Sequence, residues 1–312
     1  MIAHSNKSFD NYTEEGNPTL RLSSVEITLL GRWDGLSNAL LTLHKNQFFM
    51  VKYDDKRFKS ESYMLLEGAV EMEINGFRRV LEIGEVIDAS TYEETISFYG
   101  ETEAVFLLKI DAEAYEAHFL EMQMLQKEAE EIELLDGYTY HHCDRIKNYA
   151  IEVWKHLDMP GDTQSLILLR WGSYFHDIGK RAIPLDILNK PGKLTAEEWE
   201  IMKSHTTEGA KMVREHAVEW LKDVAFIVEQ HHERYDGTGY PYGLKGEEIS
   251  LEAAIVAVVD AFDAMTTDRV YKKALLIEDA VEELKVGKGT QFNPVVVDAF
   301  LEVLEKKRFK WK

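Results

Sequence analysis

His176 and Asp177 stand side by side in "HDIGK" (residues 176–180), with Gly179 closing a helix end and Lys180 just beyond. His205 lies in a polar stretch of the next helix. His231 and His232 end the apolar run "VAFIVEQ" and lead into "DGTGYP" (236–241), and Asp260 interrupts "AIVAVVDAFDAM", the most apolar helix in the chain. Eight of the eleven histidines fall between positions 141 and 232. Successive helical residues point about 100° apart, so His231 and His232 can address one object only near a helix end. A carboxylate inside so apolar a segment is costly unless a cation or strong hydrogen bonds meet it. A single helical histidine is more often structural, and the glycine-rich turn alone reads as a surface connection. Together, these mixed imidazole and carboxylate donors suit iron, manganese or zinc, and their number suggests two ions rather than one.

Helices must carry these donors. From Asp136 onward "LILLRWGSYFHDIG", "AEEWEIMKSHTTEGAKMVREH", "LKDVAFIVEQHHE", "LEAAIVAVVDAFDAMTTD", "IEDAVEELKVG" and "PVVVDAFLEVLEKK" read as helical runs broken by glycine, proline or polar turns. An all-α bundle over residues 136–312 is therefore predicted. Upstream, Tyr115, His118, Met122, Leu125, Ala129 and Ile132 recur at alternating three- and four-residue spacing. That spacing predicts a connecting helix over 111–135, packed on its neighbours or serving as a dimer seam. Residues 1–110 form the remaining region, β-rich from about 48 to 110. Its candidate strands are "FFMVKYD", "SYMLLEG", "AVEMEI", "RRVLEI", "TISFYG" and "AVFLLKI", with a turn signal at Asn75-Gly76. Short strands at this spacing suggest a small barrel or sandwich.

The segment "EGAVEMEINGFRRVLEIGEVIDA" (67–89) resembles a cupin, a β-roll. A metal-binding cupin carries histidines, and this segment has none, so the resemblance implies a metal-free domain for regulation or dimerisation. The expected fold class is multidomain α and β: an N-terminal small β-barrel or β-roll, a connecting helix and a C-terminal helical bundle.

Composition narrows the partners. The net charge is −20, and residues 1–135 alone carry −14. Nonspecific affinity for nucleic acid comes from basic side chains displacing counterions, so a nucleic-acid polymer is not an expected partner. A phosphate-bearing substrate would need local cations, and bound metal supplies them. The N-terminal stretch has no apolar h-region, and the longest aliphatic run, "AAIVAVV", is far short of a membrane span. A single cysteine, Cys143, excludes an internal disulfide and fits a reducing cytoplasm.

"HDIGK-x-x-I-P", His205, "HHERYDGTGYP" and "AVVDAFDAMTTDRVY" occur in that order, and over about 136–305 the chain resembles an HD-GYP domain of the HD phosphohydrolase superfamily. The resemblance implies a helical bundle with a two- or three-metal site, usually iron, that hydrolyses the bacterial second messenger cyclic di-GMP. Carried over to this sequence, the metal ligands would be His142, His176, Asp177, His205, His231, His232 and Asp260. Asp177 would bridge two ions and have the central catalytic role. His142 is taken over His141 because the family has a histidine three residues before an arginine, here Arg145. The resemblance also implies that Lys180 contacts the phosphate or assists the leaving oxygen, that Gly239 and Tyr240 shape the substrate side, and that Arg269 and Lys272 add phosphate or base contacts. If both ions are six-coordinate, seven side chains leave positions for a bridging hydroxide and phosphate oxygens.

Some members have a glutamate four residues before the first histidine ligand, where it helps hold a third metal; this sequence has Tyr138 there. A phenol with an ordinary pKa near 10 is a poor ligand for a hard cation. The expected cofactor is therefore two divalent ions per chain, Fe2+ first and Mn2+ second, with linear pGpG as the main product. Two rival readings remain: a phosphodiesterase for another cyclic dinucleotide, and a non-enzymatic cyclic di-GMP receptor. A cytoplasmic homodimer joined through the connecting helix or the β-domain completes the expectation.

Overall fold

A computed structural model describes residues 19–22, 24–51, 60–135, 142–157, 163–267 and 273–310. Tyr138, His141, Arg269 and Lys272 lie outside the described residues. The chain divides into two compact units, Met1–Met124 and Leu125–Lys312. The division falls inside helix α1 (Ala112–Leu135), the predicted connecting helix.

Among its described residues, the first unit holds ten antiparallel strands. β1 (Thr19–Arg21), β2 (Val25–Trp33), β3 (Leu36–Leu43), β5 (Glu61–Glu67), β8 (Val86–Asp88) and β10 (Ala104–Asp111) form one sheet, in the order β1-β2-β3-β10-β5-β8. β4 (Phe48–Val51), β6 (Val70–Ile74), β7 (Phe77–Val80) and β9 (Ile96–Gly100) form the other, in the order β4-β9-β6-β7. Asn75 and Gly76 both have positive φ, 50° and 76°, as a two-residue turn between β6 and β7 requires. The space between the sheets is filled by rings. Phe49 stacks on Phe98 at 4.7 Å, while Tyr63 and Phe106 close around them at 5.4–5.6 Å from one or both of these rings.

The sheet begins about 30 residues earlier than the strand signals suggested. β3 does alternate, but its inward positions are Ser37, Ala39, Leu41 and Leu43. The two small residues among them weaken the apolar signal. In α1, Tyr115, Leu125 and Ile132 of the expected stripe are buried, while Leu120, Met124 and Leu134 are exposed.

The second unit is helical: α2 (His142–His156), α3 (Thr163–Phe175), α4 (Leu185–Leu188), α5 (Ala196–Lys203), α6 (His205–Arg214), α7 (Ala225–Gln230), α8 (Leu251–Thr266), α9 (Ile277–Gly287) and α10 (Pro294–Lys310). α8 packs against α2, α3, α7, α9 and α10. Ala253–Val256, Val258, Val259 and Phe262 are all buried, as expected of a helix apolar nearly all round. Ser250 caps it by accepting from the Ala253 amide. The run 196–216, read as one helix, breaks at Ser204 into α5 and α6. Thr195 and Glu198 form a complete capping box on α5. No described helix is long and apolar enough to cross a membrane.

Candidate metal centre

Two close backbone approaches bring the ligand-bearing ends together. A Cβ at Gly172 of α3 would fall 2.5 Å from the Ile227 side chain of α7, so this glycine lets the two helices touch. His176 and His231 lie just beyond their ends, with rings 5.2 Å apart. The second approach is tighter. A Cβ at Gly179 would lie 1.8 Å from the His205 carbonyl oxygen and 2.5 Å from the Gly209 nitrogen. Only glycine lets the short 3-10 segment Ile178–Ala182 rest on α6, and this contact sets Asp177 beside His205.

The seven expected donors fall into two groups, Asp177 with His205, His231 and His232, and His142 with His176 and Asp260. Asp177 faces both. Its Oδ1 lies 3.5 Å from His205 Nε2 and 3.8 Å from His231 Nε2, while its Oδ2 lies 3.2 Å from His176 Nε2. Asp260 Oδ1 lies 3.7 Å from His142 Nε2 and 4.0 Å from His176 Nε2.

The imidazoles are oriented from behind. Nδ1 of His176, His205 and His231 lies 2.7–2.8 Å from the carbonyl three residues earlier, Ser173, Met202 and Val228 respectively. A carbonyl can only accept, so each Nδ1 carries a proton and each ring turns its Nε2 inward. His142 is held differently, with Nδ1 2.7 Å from Asp263 Oδ2. Asp263 in turn accepts from Arg145 Nε at 2.6 Å and Nη2 at 2.9 Å.

Among the buried atoms with no hydrogen-bond partner in the described residues are five at this site: Nε2 of His176, His205 and His231, and Oδ1 of Asp177 and Asp260. Each buried, unpaired polar atom costs about 1–3 kcal/mol. Five converging on one spot are explained by cations at their centre, and nitrogen–oxygen donors of this kind fit divalent transition metals.

The electrostatics agree. Burial, then the neighbouring imidazoles, hold His231 well below the usual histidine range, and burial brings His232 down to about 3. Burial likewise lowers His205. These rings are neutral at physiological pH, as metal ligation demands. His176 is the exception. Burial lowers it, but the charges of Asp177 and Asp260 and the Asp177 interaction outweigh burial and lift it to about 9. The field that favours a proton on its Nε2 equally favours a metal cation there. Burial raises Asp177, but Lys180 and His176 overcome this and hold its carboxyl well below the usual range.

Lys180 is buried and donates from Nζ to Asp177 Oδ2 at 2.7 Å. Tyr240 lies over the site's rim, with its ring 5.0 Å from that of His232 and its amide donating to the His232 carbonyl. Gly237 needs glycine for its φ of +83°. Gly239 needs it for a different reason. A Cβ there would lie 2.3 Å from the Arg234 nitrogen, so its constraint is contact with backbone rather than φ.

Two residues went unnoticed in the sequence. Asp263 is more deeply buried than Asp260, one helical turn away on the same face. Its signal was the i, i+3 carboxylate pair in an apolar helix. Glu233 looked like part of the turn, yet it is buried and accepts from the Tyr242 and Leu244 amides at 2.7 and 3.0 Å, pinning the loop after the paired histidines. Cys143 is buried and, as the chain's single cysteine, forms no internal disulfide.

Known proteins place this architecture. The HD domain family model matches residues 120–296. The chain is 40% identical over 181 residues to the cyclic di-GMP phosphodiesterase response regulator of Xanthomonas campestris pv. campestris, covering 58% of this chain and 47% of that one. A cyclic di-GMP phosphodiesterase of Thermotoga maritima is 40% identical over 207 residues, covering 65% and 55% of the two chains. A 3′3′-cGAMP-specific phosphodiesterase of Vibrio cholerae is 36% identical over 174 residues, covering 56% and 33%. The chain thus spans about half the length of the first two relatives and a third of the last. With a matched region that contains both groups of donors and more than half of its residues, this chain belongs to the HD domain family.

Proposed function

We propose that this chain hydrolyses cyclic di-GMP, mainly to linear pGpG. In this reading His142, His176, Asp177, His205, His231, His232 and Asp260 hold two divalent ions, ferrous iron first and manganese second. The observation that carries it is the division of these donors into two groups, with Asp177 of the first turning its Oδ2 towards His176 of the second. Bound there, two divalent cations lower the pKa of a water and neutralise charge on the phosphodiester.

The chain's own residues do the rest. The Nδ1 hydrogen bonds hold the imidazoles in one tautomer, so no reorientation is needed when the site fills. Lys180 stands beside Asp177, where its ammonium can turn from Oδ2 to a phosphate oxygen or give a proton to the leaving oxygen. Tyr240 and the backbone at Gly239 border the substrate side, and Arg269 and Lys272 supply further phosphate or base contacts. Tyr138, in place of a carboxylate, is the reason for two ions and for stopping at pGpG. A reducing cytoplasm suits a chain whose single cysteine, Cys143, forms no internal disulfide. A homodimer would form through α1, where Leu120, Met124 and Leu134 are exposed, or through the β unit.

A second reading, hydrolysis of a mixed guanine–adenine cyclic dinucleotide, is favoured by the cGAMP-specific relative. A receptor without turnover would have no need of all seven donors. The test is anaerobic incubation with cyclic di-GMP and 3′3′-cGAMP in parallel, followed by chromatography over time. Accumulation of pGpG, with cGAMP the slower substrate, is expected. Rapid and complete conversion to GMP, or preference for cGAMP, contradicts the reading.

A further inference from the structure

Trp199 is the largest side chain of α5, a helix in which no residue is buried, and it remains 47% exposed. An indole that contributes so little to a core calls for another role. Its one ring neighbour among the described residues is Tyr240, in a T-shaped contact at 6.3 Å. Tyr240 in turn lies against His232 at 5.0 Å. These two steps keep the indole within about 11 Å of the His232 ring. Lys203, one turn along α5, brings its ammonium 5.9 Å from the Tyr240 ring while pairing with Glu200 at 2.7 Å. A continuous aromatic wall therefore runs from the candidate metal ligands out to solvent, with its outermost face open.

We infer that Trp199 is a stacking face for one purine base of the cyclic dinucleotide. This inference rests on the phosphodiesterase reading. A phosphate held among the seven donors leaves its attached nucleoside to extend along the Tyr240 wall towards α5. Every base has a π-face, and stacking on an aromatic side chain is worth enough to weaken binding about 5- to 150-fold when the ring is removed. The edge of Tyr240 against Trp199 fixes the indole plane, so little ordering is needed on binding.

The experiment is equilibrium binding of a non-hydrolysable phosphorothioate analogue of cyclic di-GMP to the metal-loaded full chain, read by affinity and by indole fluorescence. Trp199→Phe and Trp199→Ala are compared with the parent, with metal content and melting temperature measured on each. Trp199→Ala is expected to weaken binding at least fivefold with metal content and melting unchanged. Trp199→Phe should stay within about threefold of the parent and lose most of the ligand-induced quench, although five other tryptophans remain. Equal affinity of Trp199→Ala and the parent overturns the inference. So does a loss that Phe does not rescue, or a loss that follows metal content. A parent chain that binds no cyclic dinucleotide overturns the phosphodiesterase reading itself and takes this inference with it.

Discussion

Replacing Asp263 by alanine is expected to weaken one of two metal ions selectively. The carboxylate is 2% exposed, lies 2.7 Å from His142 Nδ1 and accepts two hydrogen bonds from Arg145 at 2.6 and 2.9 Å. Burial raises its pKa, but the His142 and Arg145 bonds overcome this and hold it at about 2, so it is ionised throughout the usable range. Three histidines of the site are oriented by backbone carbonyls that no substitution removes; His142 depends on this side chain. Losing such a partner typically costs 10- to 100-fold in metal affinity, about 1.4–2.7 kcal/mol. That loss should fall on the group His142, His176 and Asp260, while the group around His205, His231 and His232 changes by no more than a few-fold. The fold itself should lose less than the ~3–5 kcal/mol of a broken buried pair, because the Arg145 side chain is 33% exposed and can turn to water. Anaerobic calorimetric titration of the metal-free chain reads both affinities. Two tight ions in the parent, and one tight with one weakened ion in Asp263→Ala, are expected. Equal weakening of both, or none, would refute the reasoning.

Other consequences follow from the same geometry. Gly179→Ala drives a Cβ into the His205 carbonyl, and overpacking of this kind costs about 1–3 kcal/mol. Melting should fall by roughly 2–12 °C, by the usual scaling for a unit of this size, with loss of metal; melting within a degree and full metal content would contradict the packing account. Glu233→Gln keeps the side chain's shape but halves its accepting capacity towards the Tyr242 and Leu244 amides. It should raise KM while leaving metal content intact, and loss of both ions would show that Glu233 supports the ligands instead. Purification in air should lower activity, with recovery on adding a reductant; a zinc-loaded, air-exposed chain as active as the anaerobic one would overturn the iron assignment.

Much of the site was legible because ligating side chains are conspicuous where they stand. Paired histidines at a helix end and a carboxylate in an apolar helix conflict with local packing unless something binds them, and all seven expected donors do converge. Less visible were the parts that act through contact rather than type. Gly179 read as a helix stop, while its consequence, the approach of His205, depends on a tertiary neighbour 26 positions away. Asp263 was hidden by Asp260, since two carboxylates one turn apart look like one signal. Glu233 was hidden by the polar turn around it. In the β unit, Asn75-Gly76 and the strands from Phe48 onward other than the three-residue β8 were readable, whereas β3 was not, because Ser37 and Ala39 occupy inward positions that larger apolar residues would have marked.

The central claim is that two ions sharing Asp177 act together on one phosphodiester. The direct test is the rate of cyclic di-GMP hydrolysis by the metal-free full chain as ferrous iron is added anaerobically in fractions of an equivalent. Activity is expected to remain low up to one ion per chain, to rise steeply between one and two, and to level off at two. Full activity at one ion, or no hydrolysis at two, would contradict the account.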